Sequence, residues 1–456
     1  MVKGFECQNG TNRLNQRTKK EFHNFFYRQL FRLLCWCAYN RHLPQEIHSG
    51  PKAPDGMREK LAPQAQRASL SGLREVFLRA GARGCINLGP GICDLEPDPN
   101  VLQAARNAVG TRHHCYAPSD GLPDLKAAIV AKYAAYNRMR IHSSNVLVTS
   151  GATGGLESIC KAFISPGDEV ILFEPFYQYH MRQVVGHGGI PRYVRLKGKD
   201  WKVSTKDLRA AITARTKLLV MSNPSNPTGK VFSAQELEQI GSICRELGVI
   251  VVCDEVYEYI VATGSTHVSM ASLPGMFDNT LTLSSAGKTF SVTGWRVGWL
   301  IGPASVMGAL GVQSDETYLC APTPLQHAVA ECLQFPDSFF CQLRTRYDGR
   351  KAQVCKALRD AGFSVLRSDG SIYVLAGYDR SRHDNDLNAA MAMIEEFGIA
   401  VVPGNEFLNG QVNSGLLRLC FWVEQDLLDA ACERLSRRNS AATERVPAIN
   451  ARAPQI

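Results

Sequence analysis

The order of apolar segments is the feature that most limits how this chain can fold. From Ser71 onward, short apolar runs alternate with longer amphipathic ones, the pattern of a mostly parallel sheet covered by helices. Six runs are strand candidates: residues 146–149, 169–173, 217–222, 249–253, 280–284 and 297–301. Ser233-x-x-Glu236 is a capping box that predicts a helix ending near Gly248. The sequence therefore predicts an α/β fold.

Changes in composition divide the chain into five predicted segments. Residues 1–65 form an atypical leader, and residues 66–105 an N-terminal arm with part of a smaller domain. Residues 106–335 hold the strand candidates of a large domain, whereas residues 336–438 have the longer amphipathic helices of a C-terminal small domain. Residues 439–456 are rich in prolines and small residues, which predicts a flexible tail.

Bulk composition excludes several classes of protein. A chain of 456 residues that is 45% hydrophobic and 20% charged is a soluble globular protein with a substantial core. The formal charge is +9, but residues 1–60 carry eleven Lys and Arg against five Asp and Glu, a net of +6 that leaves +3 for the rest. Charge therefore gives no indication of nucleic-acid binding.

The leader is the least defined part of the sequence. Its aromatic and leucine-rich run, residues 22–39, contains Arg28 and Arg32, and charges at that spacing argue against a membrane span. Three interpretations stay open: a mitochondrial targeting segment, an interfacial helix, or a segment without function. We expect a cytoplasmic protein, with the mitochondrion as the alternative location.

The fifteen cysteines follow neither a disulfide nor a metal-ligand pattern. No Cys-x-x-Cys occurs, and most lie singly in apolar runs, as Cys160, Cys253 and Cys420 do. They are typical of reduced, buried small hydrophobic residues in a cytosol-like compartment. The close groups at residues 35–37 and 113–115 lack a second ligand cluster, so no metal site is expected.

A single lysine lies in the segment with the clearest chemistry. Lys288 follows Ala286 and Gly287, whose small side chains let a flat ring approach the amine. Ser285 and Arg296 can supply a hydroxyl and a bidentate guanidinium to a phosphate. A lysine offered in this way to a phosphorylated aldehyde indicates pyridoxal 5'-phosphate as the cofactor.

Other interpretations of the same residues fail on spacing. A Walker A loop needs a glycine where Thr282 stands, and the Ser-x-x-Lys motif of serine β-lactamases lacks its Ser-Asp-Asn and Lys-Thr-Gly companions. The remaining alternative is an ordinary surface lysine. The segments that follow the other strand candidates argue against it, since ligands of α/β sheets bind beyond the carboxyl ends of the strands.

Three such segments accompany the lysine. Residues 150–155, Ser-Gly-Ala-Thr-Gly-Gly, enter a helix whose N–H groups and dipole would hold a phosphate. Residues 223–230 read Asn-Pro-Ser-Asn-Pro-Thr-Gly-Lys, and residues 254–257 read Asp-Glu-Val-Tyr. Together with Ser-x-x-Lys and Gly-x-Arg, in this order, these motifs resemble the class I and II aminotransferases, which are fold-type I pyridoxal-phosphate enzymes.

The resemblance extends from Ser71 to Arg438 and is strongest to the kynurenine and glutamine aminotransferase branch, which includes cysteine-conjugate β-lyases. It implies a large cofactor-binding domain with a mostly parallel central sheet and a smaller α+β domain. It also implies that Lys288 bonds covalently to the cofactor and moves the substrate's proton. Its amine must be unprotonated to react, and we expect burial to lower its pKa.

The resemblance implies further contacts residue by residue. Asp254 would face the pyridine nitrogen, where an anion keeps the ring protonated as an electron sink. Tyr177 would stack on the ring face. The remaining implied cofactor contacts are Ala152, Thr153, Ser285 and Arg296 at the phosphate, and Asn226 and Tyr257 at the phenolic oxygen.

The resemblance also covers the substrate and the assembly. Arg418 would clamp the substrate's α-carboxylate with two bonds, and Gly91 and Asn226 would touch the same group. Tyr116 would reach the phosphate of a neighbouring subunit, which implies a homodimer with shared active sites.

The function implied is transfer of an amino group from an L-amino acid to a 2-oxo acid by a ping-pong mechanism. Aromatic, sulfur-containing, kynurenine-like or glutamine-like donors are expected. A cysteine-S-conjugate β-lyase on the same fold stays open, because the same carbanion can expel a β-substituent. A cofactor-sensing transcription regulator is disfavoured, since no helix-turn-helix precedes the body of the chain.

Overall fold

The computed structural model describes residues 84–91, 93–110, 114–410 and 413–442, together with residues 60, 76 and 79–81. Residues 69–80 and 85–456 form one compact unit, to which every element below belongs. Of the other unit, residues 1–68 and 81–84, only residues 60, 81 and 84 are described. The leader run, the group at residues 35–37, His113 and the tail from residue 443 lie outside the described residues. The predicted domain boundaries and location stay predictions.

Thirteen strands and twelve α-helices follow in chain order within the described residues. The strands are β1 (Ile86–Asn87), β2 (Val146–Thr149), β3 (Glu169–Glu174), β4 (Ile190–Arg195), β5 (Thr216–Ser222), β6 (Ile250–Asp254), β7 (Thr280–Ser285), β8 (Gly298–Ile301), β9 (Ser364–Val365), β10 (Tyr373–Gly377), β11 (Ile399–Ala400), β12 (Val402–Pro403) and β13 (Leu416–Cys420). The helices are α1 (Pro99–Val109), α2 (Pro123–Ala135), α3 (Gly151–Phe163), α4 (Gln178–Gly186), α5 (Thr205–Ala211), α6 (Ala234–Glu246), α7 (Ala286–Thr289), α8 (Ala304–Tyr318), α9 (Thr323–Cys332), α10 (Asp337–Asp360), α11 (Asp386–Ala392) and α12 (Gln425–Ala442). Among these helices, none combines the length and the apolar character that crossing a membrane requires.

The central sheet has seven strands in the order β2-β8-β7-β6-β5-β3-β4. Strand β8 runs antiparallel to its neighbours β2 and β7, and the other pairs are parallel. Consecutive residues of β5 lie in two different cores. Leu219 belongs to the core that contains Leu237 of α6, and Leu218 to the core that contains Leu156 of α3. Burial on both faces explains why the strands read as continuous apolar runs. The predicted α/β fold with a mostly parallel sheet is confirmed.

The predicted local signals agree with the structure. All six predicted strands are present, with ends within one residue of those expected. The capping box at the start of α6 is formed, with the Glu236 N–H donating to Ser233 Oγ at 3.2 Å and the Ser233 N–H to Glu236 Oε2 at 3.0 Å. Strand β4 was not predicted, because its sequence Ile-Pro-Arg-Tyr-Val-Arg is that of a half-exposed edge strand.

A second sheet carries the far wall of the site. Strands β12, β13, β10 and β9 pair antiparallel in that order, and β1 pairs in parallel with β11. The Leu88 N–H donates to Ala400 O at 2.9 Å, and Leu88 O accepts from the Cys420 N–H at 2.7 Å. These bonds hold the segment after β1, with Gly89 and Gly91, beside the end of β13.

Candidate active site

The loops that follow four parallel strands of the central sheet converge on one region, as expected for an α/β sheet. Strand β2 leads into α3, β5 into the Asn226 loop, β6 into the Tyr257 loop, and β7 into α7 with Lys288. Side chains from these loops contact residues of the second sheet. The two sheets therefore form opposite walls of a single site.

One end of the site is a concave surface of backbone donors beside Arg296. Helix α3 begins at Gly151 (φ +67°), and its N-cap, Ser150, makes no side-chain capping bond, so first-turn N–H groups have no side-chain cap. Arg296 donates from Nη2 to Ser150 O at 3.3 Å and from Nη1 to Thr293 O at 3.0 Å. A Cβ on Gly151 would lie 2.4 Å from Arg296 Nη2. This geometry fits an oxyanion such as a phosphate.

The other predicted phosphate contacts lie at the N-terminal ends of α3 and α7. Ala152 and Thr153 are the second and third residues of α3, the first half-buried and the second exposed. Ser285 is the half-buried N-cap of α7 and makes no capping bond. Their hydroxyl and N–H groups are therefore available to a bound anion.

Asp254, at the carboxyl end of β6, is hydrogen-bonded to the buried His180. Asp254 Oδ2 lies 3.1 Å from His180 Nε2, and Oδ1 accepts from the Val256 N–H at 3.3 Å. His180 lies on α4, and its ring is edge-on to Tyr177 with centroids 5.3 Å apart. Sequence reasoning missed His180, although its position three residues after Tyr177 at a helix start places the two side chains on one face.

Tyr177, which is half-buried, and Tyr257, which is buried, bring two phenols to the site. Burial raises the pKa of Tyr177, with the neighbouring Tyr373 adding to the effect, and burial likewise raises the pKa of Tyr257. Tyr257 donates its hydroxyl hydrogen to Tyr373 Oη at 3.2 Å. Both phenols are therefore neutral hydrogen-bonding groups at ordinary pH.

Lys288 is half-buried in the short helix α7 and donates from Nζ to Gly91 O. Its Nζ lies 5.7 Å from the centre of the Tyr257 ring. Burial lowers the pKa of Lys288, as expected, but Cys93, Tyr373 and Cys420 raise it, and the net direction is upward from 10.5. The expected lowering is therefore wrong for the amine in this structure, because groups that can become anionic surround it.

Arg418, on β13, is the most constrained charged side chain of the site. It is 6% exposed, and it donates from Nη1 to Asn226 Oδ1 at 3.0 Å and from Nη2 to Gly89 O at 2.8 Å. Its guanidinium lies 4.1 Å from the Tyr373 ring centre and 4.7 Å from that of Phe407. Its Nε is buried without a partner, and among the described residues no carboxylate pairs with it. A buried cation with neutral partners is suited to bind an anion.

Tyr373 and Phe407 were not predicted as site residues. They come from β10 and from the turn after β12, 85 and 119 residues beyond Lys288, and neither belongs to a recognisable pattern. The tertiary structure alone places them beside Arg418. Tyr116 is exposed over 82% of its surface, and the predicted phosphate contacts Thr153 and Arg296 are exposed as well.

A buried ionic cluster lies directly behind Asp254. Lys132 Nζ pairs with Glu258 Oε2, and both side chains are at most 2% exposed. Glu255 Oε2 lies 3.5 Å from His267 Nε2 in the same cluster. Burial and the nearby Glu258 raise the pKa of Glu255 from 4.5 to about 8, and burial lowers that of His267 from 6.5 to about 4. Glu255 and His267 are therefore both neutral at pH 7, and Lys132 balances Glu258.

The fold, the half-buried lysine that follows β7 and the arginine on the facing sheet define a fold-type I aminotransferase. A family model of aminotransferase class I and II matches residues 83–435, and the chain belongs to this family. Enzymes of this family depend in general on pyridoxal 5'-phosphate, and the concave surface beside Arg296 fits that cofactor's phosphate.

Characterised relatives agree with this assignment. Kynurenine–oxoglutarate transaminase 1 of Rattus norvegicus is 33% identical over 387 residues, covering 77% of this chain and 92% of the relative. The structure of N-succinyldiaminopimelate aminotransferase from Mycobacterium tuberculosis superposes with a TM-score of 0.78 at 32% identity, over 83% of this chain and 99% of that one. Escherichia coli YbdL, described with a methionine aminotransferase function, has a TM-score of 0.79 at 26% identity, over 83% and 99% of the two chains. The protein is therefore an enzyme that transfers amino groups.

Proposed function

We propose that this enzyme binds pyridoxal 5'-phosphate at the converging loops and moves an amino group from an L-amino acid to a 2-oxo acid. The first-turn N–H groups of α3, the Arg296 guanidinium and the Ser285 hydroxyl would hold the phosphate. Tyr177 would cover one face of the ring, while Asn226 and Tyr257 would donate to its phenolic oxygen. The close approach of the Arg296 guanidinium to Gly151, where a Cβ would lie 2.4 Å from Nη2, supports this placement.

When bound, the cofactor supplies an electron sink that makes the hydrogen on the substrate's α-carbon acidic. Asp254 would keep the pyridine nitrogen protonated, and His180 would fix the orientation of that carboxylate. Lys288 would bond to the cofactor at rest and carry the proton to and from the substrate's α-carbon. The bond from Lys288 to Gly91 O aims the amine at the segment that borders the substrate.

The observation that carries the proposal is the environment of Arg418. The Arg418 guanidinium is 6% exposed, faces two neutral oxygens and retains an unpartnered Nε, so its positive charge has no counter-ion among the residues that the structure describes. Burying a charge in that way is costly unless a ligand supplies the opposite charge. The α-carboxylate shared by every amino acid and 2-oxo acid is that ligand, with Asn226 and Gly91 beside it.

Three rings favour substrates with apolar or aromatic side chains. Tyr177, Tyr373 and Phe407 surround the carboxylate site. We propose aromatic or sulfur-containing amino acids, kynurenine or glutamine as donors. The named activities of the kynurenine transaminase and methionine aminotransferase relatives support this range.

We further propose a homodimer in which Tyr116 reaches the phosphate site of the partner subunit. A tyrosine that is 82% exposed leaves its apolar ring in water, and a subunit interface would cover it. Analytical ultracentrifugation measures the mass of the assembly. A monomer at working concentration would contradict the shared site.

The test of the proposed function is the absorbance of the purified enzyme with pyridoxal 5'-phosphate, before and after single amino acids are added without an oxo acid. We expect a visible band that a preferred donor converts to the band of the aminated cofactor. Lys288→Ala is expected to abolish turnover with an unchanged circular dichroism spectrum, whereas Lys356→Ala, on an exposed side chain, leaves turnover intact. Release of pyruvate and ammonia from a cysteine conjugate would assign the β-lyase reaction instead, and the lack of any band would refute the cofactor assignment.

A further inference from the structure

Two tyrosine hydroxyls from opposite walls of the site meet at its centre. Tyr257 comes from the loop after β6 and Tyr373 from β10, and they are 3% and 2% exposed. Their hydroxyl oxygens lie 3.2 Å apart, and their rings are edge-on with centroids separated by 6.1 Å. The contact is therefore a buried hydrogen bond between the two sheets.

The position of Tyr373 is fixed from two sides. Its hydroxyl oxygen lies 1.7 Å from where a Cβ on Gly91 would stand, so the segment after β1 closes over it. The Arg418 guanidinium covers the Tyr373 ring at 4.1 Å. Because both neighbours hold the ring, its hydroxyl cannot turn away from Tyr257 without moving the carboxylate clamp.

The number of hydroxyl hydrogens limits which hydrogen bonds Tyr257 and Tyr373 can make. A phenol has one hydrogen to donate and can accept at its oxygen. In the structure Tyr257 donates to Tyr373. If Tyr257 instead donates to the phenolic oxygen of the cofactor, its own oxygen becomes the acceptor, and Tyr373 is the adjacent group that can donate to it. The pair then forms a chain of two hydrogen bonds ending on the cofactor, and each bond strengthens the next.

We propose that Tyr373 is a positioning residue, which directs the Tyr257 hydroxyl hydrogen at the phenolic oxygen of the cofactor. This inference rests on the proposed function. Donation from Tyr257 stabilises negative charge on that oxygen, and charge left unstabilised would hold the proton of the neighbouring cofactor–lysine nitrogen more tightly. Tyr373 thereby lowers the pH at which that nitrogen loses its proton.

The variant Tyr373→Phe separates this role from packing, since it keeps the ring under Arg418 and removes only the hydroxyl. In the holoenzyme we expect the pH midpoint of the visible cofactor band to rise by about one unit, the shift for loss of one buried hydrogen bond. We expect kcat to fall about tenfold and KM for the amino acid to change less than threefold. Tyr347→Phe is the matched control, because Tyr347 is fully buried and its hydroxyl donates to Ser368 O at 3.0 Å.

A double-mutant cycle keeps the test decisive. With Tyr257→Phe already present, Tyr373→Phe should leave the midpoint unchanged, because the group through which it acts is missing. A midpoint unchanged in the single variant, or equal shifts in both backgrounds, would overturn the inference. If Tyr373→Phe fails to fold, direct replacement at Tyr257 must raise the midpoint, and no change there equally overturns it. Wild-type enzyme that binds no cofactor would refute the proposed function itself, which is a different outcome.

Discussion

Replacing Glu255 with Gln is expected to change how the stability of this protein depends on pH. Glu255 is fully buried, and its Oε1 accepts from Ser269 Oγ at 3.0 Å and from the Met270 N–H at 3.1 Å. A glutamine carbonyl can accept both bonds, so the substitution removes the titration and keeps the contacts. The effect of Glu255→Gln on stability therefore comes from the loss of a titrating group and not from a change in packing.

Glu255 and His267 both have shifted pKa values, and these shifts decide whether stability rises or falls with pH. Between pH 4.5 and about 8, folded Glu255 holds a proton that the unfolded chain has released, so stability falls with rising pH by about 1.4 kcal/mol per unit. Between about 4 and 6.5, unfolded His267 holds a proton that the folded protein lacks, so stability rises with the same slope. The two contributions cancel between pH 4.5 and 6.5. From pH 6.5 to 8, Glu255 is the only one of the two that titrates, and it lowers the free energy of unfolding by about 2 kcal/mol.

The assay is guanidinium unfolding of the apoprotein, followed by tryptophan fluorescence at half-unit steps of pH. The free energy of unfolding of Glu255→Gln relative to wild type should grow by about 2 kcal/mol between pH 6.5 and 8. Glu246→Gln is the control, because Arg209 lowers the pKa of that exposed carboxyl and its titration lies below this range. A difference that stays constant from pH 6.5 to 8 would show that Glu255 is ionised in the folded protein and would refute the reasoning.

Three further substitutions test the site and its support. Arg418→Lys should lower kcat/KM by about a hundredfold in steady-state assays, because an ammonium cannot reproduce two parallel bonds to a carboxylate; near-wild-type kcat/KM would contradict the carboxylate assignment. Gly151→Ala should weaken cofactor binding, measured by fluorescence quenching of the apoprotein, since its Cβ would lie 2.4 Å from Arg296 Nη2 at a φ of +67°; unchanged affinity would place the phosphate elsewhere. Lys132→Met should cost about 3–5 kcal/mol of unfolding free energy by leaving Glu258 buried and unpaired, and a loss below about 1 kcal/mol would show that water reaches the cluster.

The parts of the site that lie on the central sheet were accessible from sequence. Lys288, Asp254 and Asn226 each follow an apolar strand within a short motif, and the carboxyl ends of parallel strands meet at one edge. Local patterns therefore predicted that these residues converge. The motif glycines and the capping box of α6 were equally readable, because turn and cap chemistry acts over a few residues.

The partners of these residues were not accessible in the same way. His180 and Asp254 are 74 residues apart, and Lys132 and Glu258 are 126 residues apart. Tyr373 lies beneath Arg418 because β10 pairs with β13 in the second sheet. Side-chain contacts over such separations depend on how helices and sheets pack, for which no short pattern exists.

The sequence by itself determined six strands of the central sheet, the capping box of α6 and the motif that carries Lys288, since each depends on neighbours along the chain. Only the tertiary structure decided the environment of that chemistry: which carboxyl is neutral, which guanidinium lacks a counter-ion, and which phenol donates to which. Burial and the approach of distant charges set those properties, and both exist only once the two sheets have come together.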